Sequence, residues 1–303
     1  MSITEQIDAY HASQIDEPRP HMGASGLGHA CDRYIWLNFR WAVQPKFIGR
    51  IKRLFRRGQL EEATIIKDLE AIGMRVTDTQ RRVSFAYGVS GSIDGIGNGD
   101  TLLEFKTHNK KSFDDLEANG LQKSKPMHYT QMQVYMRGTT LTKGLYVAVC
   151  KDDDRIYTED VAYDQTHAEK AIGRGIRLAM DDYLPPPIST DATWYQCKMC
   201  DAHSFCHKTK LVEHVNCRTC ANVTPQKNGD MYCSRWGDAV PIPSQRIGCD
   251  SHVLHPDLVP WQRIDGPNEW TAIYLIDKAQ IANGEPTEGV YSSKQLIEWN
   301  KAK

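Results

Sequence analysis

The sequence lacks any segment typical of a membrane or secreted protein. No apolar run approaches the roughly 20 residues that a helix needs to cross a bilayer. The N-terminal stretch MSITEQIDAYHASQIDEPRP has no basic start followed by apolar residues, which would mark a secretory signal. We therefore expect a cytoplasmic protein without a membrane partner.

The chain also lacks an excess of charge of either sign, with a formal net charge of -1 at pH 7. A nucleic-acid partner would have to be held by a local basic patch, because the whole protein provides no attracting field. One such patch lies within positions 46–57, although a solvated helix face would look the same. Its members are Lys46, Arg50, Lys52, Arg53, Arg56 and Arg57.

Helices are predicted where apolar residues recur at helical spacing. Residues 55–72 and 165–183 show this spacing, and Pro126 starts a third helix over 126–137. The stripe of the first helix that should face the core is Leu60, Ala63, Ile66, Leu69 and Ile72.

Strands are predicted within 74–107, with the turn GNGD at 97–100 joining two of them. The apolar stretch 144–150 is a buried strand, and 156–163 is the returning strand. The stretch 107–125 is expected to be a loop.

We predict an α/β fold with a central mixed sheet flanked by helices, followed by a C-terminal cysteine-rich metal-binding unit. The length of 303 residues suits one such core with an appendage. The predicted boundaries are a polar leader at 1–24, the core at 25–210, a zinc-ribbon-like unit at 211–267 and a short αβ tail at 268–303.

Charged residues within GSIDGIGNGDTLLEFKT, residues 91–107, suggest chemistry at a phosphate. Glu104 and Lys106 project from one face of a strand, and the 97–100 turn folds Asp94 back against them. Adjacent carboxylates repel unless a cation lies between them, and their oxygens suit Mg²⁺ or Mn²⁺. A hairpin with surface charges is the alternative, but the apolar neighbours Ile93 and Leu103 indicate burial.

The pattern D-x9-E-x-K resembles the PD-(D/E)XK nuclease superfamily, with Ile93 in place of its leading proline. The resemblance implies a restriction-endonuclease-like core and makes Lys106 the catalytic lysine. It also implies a metal site whose further acidic residue comes from the preceding helix, where Glu62 suits better than Glu61. The implied ligands are Glu62, Asp94, Glu104 and the backbone carbonyl of Phe105.

A second motif, Q-x-x-x-Y, resembles that of RecB-like and lambda-exonuclease-like members. Gln131 and Tyr135 supply it, one helical turn apart within HYTQMQVYM. The resemblance implies that both residues orient the lysine and contact the DNA backbone, although Tyr135 could be a core aromatic. His128 could also line the site.

The leading hypothesis is a metal-dependent DNA exonuclease in recombination, repair or replication. The pattern is similar to phage recombination exonucleases, which implies bacterial or phage-infected host cytosol, DNA as partner and a single-strand annealing or replication protein as a second partner. The alternatives are a structure-selective endonuclease or nickase, and a non-catalytic nucleic-acid-binding protein held by metal clusters. The oligomeric state stays open.

The chain has nine cysteines, and in a reducing compartment their clustering indicates metal binding before disulfides. The split first set resembles that of iron–sulfur nucleases, which implies a structural [4Fe–4S] cluster. Zinc is the alternative, with His203 or His207 replacing a cysteine. The first set is Cys31, Cys197, Cys200 and Cys206.

The second set predicts a closed Zn²⁺ site in a unit too small to bury its own core. His252 or His255 could replace one ligand, and free or disulfide-linked cysteines are the alternative. The second set is Cys217, Cys220, Cys233 and Cys249. Cys150, in an apolar strand, is expected to be a small core residue.

Overall fold

The computed structural model describes residues 1–301, except for the side chains of residues 265 and 267. Its helices are α1 (Ile3–Ser13), α2 (Asp32–Phe39), α3 (Gly49–Ala71), α4 (Lys110–Ser124), α5 (Pro126–Thr139), α6 (Gln165–Met180), α7 (Tyr195–Lys198), α8 (Ile242–Ile247) and α9 (Ser293–Lys301). Its strands are β1 (Met22–Gly23), β2 (Val76–Thr77), β3 (Arg82–Ser84), β4 (Val89–Ser92), β5 (Gly95–Gly97), β6 (Thr101–His108), β7 (Lys143–Cys150), β8 (Ile156–Ala162), β9 (Val223–Pro225), β10 (Met231–Cys233), β11 (Asp238–Ala239), β12 (Gln262–Asn268), β13 (Thr271–Ile276), β14 (Ala279–Asn283) and β15 (Val290–Tyr291). None of the helices within residues 1–301 has the length and apolar character needed to traverse a bilayer.

The central sheet is mixed, with strand order β2–β5–β6–β7–β8. Strands β6 and β7 run parallel, whereas the other neighbouring pairs are antiparallel. The parallel pair needs a crossover connection, which α4 and α5 supply. Helix α3 covers one face, where Ile65 packs with Phe105 and Val147. Phe113 of α4 and Met132 of α5 cover the other face, so the predicted α/β class with a mixed sheet between helices is confirmed.

The prediction of a loop at 107–125 is wrong, because α4 occupies most of it. Asn109 caps this helix by accepting a hydrogen bond from the backbone N–H of Ser112 (2.9 Å). Phe113 and Leu116 are buried beneath it. Gly120, with a φ of 72°, kinks the helix, and this break together with the surrounding lysines hid the helical pattern.

The predicted polar leader at 1–24 contains a helix, α1. Ser2 and Glu5 form a capping box at its start, and Asp8 pairs with Arg53 of α3. Helix α1 buries none of its side chains, although apolar residues recur along it at helical spacing and stay exposed: Ile3, Ile7 and Tyr10.

Helix α3 begins earlier than predicted and turns a different face to the sheet. Ile65 is its buried apolar side chain, with Ile66 and Leu69 half-buried beside it. Leu60 is 65% exposed and Ile72 is 79% exposed, so the ends of the predicted stripe face solvent. Ile65 packs on Phe105, and the free energy gained by burying it against the sheet sets the orientation of α3, although other apolar side chains of the helix then stay exposed.

Three smaller sheets surround this core: β1–β4–β3, β11–β10–β9 and β12–β13–β14–β15. The last of these begins before the predicted tail, because β12 already pairs with β13 from Gln262. Trp36 of α2 shares a hydrophobic core with Tyr274 of β13. Cys217 and Cys233 share the main core with Val89, so the cysteine-rich segment packs directly on the N-terminal part of the chain.

Candidate active site

The central sheet opens at the point where β5 separates from β6. Their antiparallel pairing ends at Gly95 and Leu103, and Asp94 precedes β5 directly. Beyond this point, Asp94 Oδ2 accepts a hydrogen bond from the backbone N–H of Phe105 (2.7 Å). Because β5 no longer pairs with β6 at this point, the Asp94 carboxylate takes the place of a strand as acceptor for the buried Phe105 N–H. This hydrogen bond holds Asp94 at the opening.

Glu104 and Lys106 lie beside Asp94 on β6. The Lys106 ammonium donates to Glu104 Oε1 and to the Phe105 carbonyl oxygen (3.0 Å), and it lies 4.0 Å from Asp94 Oδ2. Glu104 is 0% exposed, and within residues 1–301 its Oε2 has no hydrogen-bond partner. A buried carboxylate oxygen without a partner is costly, so this atom marks a position for a ligand.

Helix α3 brings a further carboxylate to the same place. Glu61 and Glu62 both line a cleft of about 790 Å³, together with Lys106. Burial, and then the charge of Asp94, raises the pKa of Glu62, whereas Lys106 acts to lower it. The charges of Asp94 and Lys106 therefore both act on the pKa of Glu62.

The carboxylates of this cluster repel one another. Burial raises the pKa of Glu104 to about 8; Lys106 opposes this shift, and Asp94 adds to it. Burial also raises the pKa of Asp94. Burial alone would lower the pKa of Lys106, but the Glu104 and Asp94 carboxylates outweigh it, and this pKa is raised. Three carboxylates against one ammonium form an acidic cluster that a divalent cation would neutralise.

Helix α5 places the Q-x-x-x-Y pair on the opposite side of the cleft, which both Gln131 and Tyr135 line. Burial and the Glu104 charge raise the pKa of Tyr135, and a hydrogen bond from Gln131 opposes the rise. The Tyr135 ring lies against β4, where a Cβ atom on Gly91 would be 2.6 Å from the hydroxyl oxygen. Only glycine at position 91 leaves this hydroxyl room beside the acidic cluster.

A buried network of two histidines and a tyrosine adjoins this site; the sequence pointed to His128 but not to the network. The Tyr146 hydroxyl lies 2.9 Å from His108 Nε2 and 2.9 Å from His128 Nδ1. Burial lowers the pKa of His108 to about 4 and that of His128 to about 3, so both rings are neutral. The alternation of side chains along a strand could have revealed His108, because it projects from the same face of β6 as Glu104.

None of the six basic residues of the 46–57 patch is among the described residues that line this cleft. Lys52 pairs with Asp16 (2.8 Å) and Arg53 with Asp8, so two members of the patch hold the N-terminal segment instead. Arg57 donates to the carbonyl oxygen of Lys151, which lines the cleft (2.9 Å). Two residues of the predicted leader, Arg19 and His21, line the cleft, together with Ser25 at the start of the predicted core.

The first cysteine set comes together although its members are far apart in sequence. One small cavity is lined by Cys31, Cys197, Cys200 and Cys206, together with His203 and His207. Burial raises the pKa of the Cys200 thiol to about 11, and the neighbouring Cys206 and Cys31 add to the rise. Four thiols around one cavity suit an iron–sulfur cluster or a zinc ion.

The cysteines of the second set also lie near one another. Burial, and then Cys220, Cys249 and Cys233, raise the pKa of the Cys217 thiol to about 12. Cys220 Sγ accepts hydrogen bonds from the backbone N–H groups of residues 222 (3.5 Å) and 253 (3.4 Å). All nine cysteines are free thiols, so disulfides do not explain either set.

One of the two alternative histidine ligands of this set, His252, is engaged elsewhere. His252 Nδ1 lies 2.7 Å from the Ser293 hydroxyl, and its Nε2 lies 3.1 Å from the Asn216 carbonyl oxygen. Among residues 1–301, no three His, Cys, Asp or Glu side chains already stand in a ready-made metal-binding geometry. Each set is therefore a neighbourhood of donors that a metal would have to draw together.

Comparison with known proteins finds distant likenesses of structure only. No protein-family model matches this sequence, and no curated protein matches it. An alkaline exonuclease from Laribacter hongkongensis is similar at 19% identity and a TM-score of 0.42, over 57% of this chain and 90% of the exonuclease. The protein SSO0001 is similar at 17% identity and a TM-score of 0.41, over 68% and 96% of the two chains. A phage-related exonuclease from Haemophilus somnus 129PT is similar at 17% identity and a TM-score of 0.33, over 40% and 65%.

Proposed function

We propose that this chain is a metal-dependent deoxyribonuclease of the PD-(D/E)XK type that acts as an exonuclease. One observation carries the proposal: Asp94, Glu104 and Lys106 converge where the sheet opens, and a buried oxygen of Glu104 has no partner within residues 1–301. A structural ion pair would not leave that oxygen unsatisfied.

The donor set at the opening suits Mg²⁺ or Mn²⁺. The ligands would be the carboxylates of Glu62, Asp94 and Glu104 and the carbonyl oxygen of Phe105, all of them hard oxygen atoms. When bound, such a cation lowers the pKa of a coordinated water and neutralises phosphate charge. The raised pKa of Glu104 follows from burial among like charges, and a cation would reverse that shift.

Lys106 would act on the nucleophile and on the phosphate. Its ammonium donates to Glu104 and Phe105, so it already stands against two of the proposed ligands. From there it orients the attacking water and stabilises negative charge on the phosphate. Gln131 and Tyr135, on the facing helix, bound the space beside Lys106 and would contact the DNA backbone.

Cleavage of defined DNA substrates tests this function. We expect the purified protein with Mg²⁺ or Mn²⁺ to degrade a linear duplex and leave a covalently closed circle intact. Asp94→Ala and Lys106→Ala should abolish cleavage while circular dichroism and urea unfolding show a folded protein.

Three other results would change the assignment. Cleavage of the closed circle would favour a structure-selective endonuclease or nickase on the same site. Binding without cleavage would favour a nucleic-acid-binding protein. Cleavage that survives both substitutions would refute the assigned site.

The two cysteine sets complete the proposal. We assign a structural [4Fe–4S] cluster to the first set, with Zn²⁺ as the alternative, because four thiols line one cavity there. We assign Zn²⁺ to the second, where Cys217 is surrounded by three other thiols. Metal analysis and visible absorption of protein purified without oxygen distinguish these assignments. Recombination, repair or replication, with a single-strand annealing or replication protein as partner, is the proposed setting.

A further inference from the structure

Arg218 is a buried arginine inside the second cysteine set, between Cys217 and Cys220. Its side chain is 1% exposed and packs on the Trp41 ring at 4.3 Å. The guanidinium donates to three oxygens: the Phe39 carbonyl (3.0 Å), the Pro20 carbonyl (2.6 Å) and the Gln245 side chain (3.0 Å). A surface zinc ribbon would not need such an anchor in the N-terminal part of the chain.

The charge of Arg218 has no carboxylate to balance it. Among the described residues, no Asp or Glu forms an ion pair with this guanidinium, and its three hydrogen-bond acceptors are neutral. Burying an unpaired charge is unfavourable unless a compensating charge lies nearby. Arg218 lies between Cys217 and Cys220 in sequence, so a Zn²⁺ ion held by these two thiolates would fix the backbone from which the Arg218 side chain reaches its three acceptors.

The segment held by Arg218 is a wall of the cleft. Arg218 binds the carbonyl oxygen of Pro20, and the Trp41 indole N–H binds that of Arg19 (2.8 Å). Immediately beyond these anchors, the side chains of Arg19, His21 and Ser25 line the cleft that contains Lys106. Met22 and Gly23 then pair in parallel with Val89 and Ser90 of β4.

A second contact from the cysteine unit supports the same small sheet, β1–β4–β3. The loop between β9 and β10 provides the Lys227 carbonyl oxygen, which accepts a hydrogen bond from the Tyr87 N–H (3.0 Å). In the same loop, a Cβ on Gly229 would lie 3.2 Å from the Cα of Gly88. Residues 87 and 88 lead into β4, whose Gly91 and Ser92 line the cleft. The unit therefore supports the cleft wall from behind at two places.

We propose that Arg218 is a positioning residue through which metal binding at the second cysteine set holds the cleft wall of residues 19–25 in place for substrate DNA. Loss of this anchor weakens DNA binding, because it frees the wall but leaves the acidic cluster at the sheet opening untouched. The kinetic part of this inference rests on the proposed nuclease function. The structural part does not.

Hydrogen–deuterium exchange of the full chain tests the structural part without any activity. In Arg218→Gln, amide exchange within 19–25 should accelerate on the order of tenfold, as expected when charged hydrogen bonds to a backbone are lost. Exchange within 126–139 should not change. Arg235→Gln is the control in the same cysteine-rich segment, because Arg235 also stacks on tryptophan rings but pairs with Glu285 (3.3 Å) and makes no contact with residues 19–25. It should leave 19–25 protected.

Kinetics on linear duplex DNA test the second part. Arg218→Gln should raise KM on the order of tenfold with kcat within about twofold, whereas Arg235→Gln changes neither. Arg218→Lys keeps the charge but not the planar fork, so it should restore part of the KM change. A wild-type KM in Arg218→Gln, or an equal fall of kcat and kcat/KM, would overturn the positioning role. If the wild type does not cleave DNA, the proposed function fails, but the exchange result still decides the structural part.

Removal of the metal is a perturbation that needs no variant. Zinc is extracted with a mercurial and a chelator, its stoichiometry is measured, and the exchange of 19–25 is followed before and after. Faster exchange of 19–25 that reverses on re-addition of Zn²⁺ supports the coupling. Unchanged exchange after complete extraction, or a purified protein with no metal at this set, overturns it.

Discussion

Replacing Glu104 by glutamine separates function from stability at the candidate site. The side chain is wholly buried, and its Oε2 has no hydrogen-bond partner within residues 1–301. Glutamine keeps the shape and removes the negative charge that burial disfavours. We expect Glu104→Gln to abolish cleavage and to stabilise the metal-free protein.

The size of the stabilisation follows from the pKa of Glu104, which burial raises from 4.5 to about 8. A carboxyl group whose pKa is higher in the folded state destabilises the fold as pH rises from the unfolded value to the folded one. Below pH 4.5 the effect is absent. At pH 7 the folded carboxyl must keep a proton that the unfolded one has lost, which costs about 3 kcal/mol.

Urea unfolding in the presence of a chelator measures this difference. The variant should exceed the wild type by about 3 kcal/mol at pH 7 and by less than about 1 kcal/mol at pH 5. Asp100→Asn is the control on the same hairpin, because Asp100 is exposed and pairs with Lys143 (3.1 Å). It should cleave normally, and its stability should change little. A Glu104→Gln protein that cleaves DNA, or is less stable than wild type at pH 7, would refute the reasoning.

Three further predictions concern neighbouring parts of the molecule. Glu62→Gln should reduce cleavage by at least roughly a hundredfold, which is more than the loss of a side chain that only hydrogen-bonds a metal ligand would cost. Glu61→Gln should retain activity within about threefold of the wild type. Equal losses in the two variants would contradict the choice of Glu62 as the ligand. Gly91→Ala should displace the Tyr135 hydroxyl, lowering kcat about tenfold at a stability cost of about 1–3 kcal/mol, and normal kinetics would show that this hydroxyl is not used. Cys31→Ser should remove visible absorption and iron from protein purified without oxygen while Cys150→Ala retains both, and retained iron in the first variant would exclude Cys31 as a ligand.

The candidate site was predictable where it depends on local geometry. Strand alternation puts Glu104 and Lys106 on one face, and the glycine turn at 97–100 folds Asp94 against them. Helical spacing likewise puts Gln131 and Tyr135 one turn apart. These relations hold within about 20 residues of chain, so the order of residues alone determines them.

Tertiary packing decided the rest. Helix α1 was missed because its segment was interpreted as a polar leader although its apolar residues recur at helical spacing, and α4 was missed because Gly120 interrupts it. The contacts of Arg218 with Pro20 and of Tyr146 with His108 join residues far apart in sequence.

The sequence by itself determined which residues could form an acidic cluster on a hairpin and which cysteines could share a metal. The resemblance implied that Cys31 joins three cysteines from beyond residue 190, and the structure has all four lining one cavity; only the tertiary structure decided that the N-terminal segment walls the cleft. The physical reason is that periodicity reports a side chain's direction relative to its own strand or helix. Which distant surface it then meets depends on the burial of the whole core, to which every element contributes.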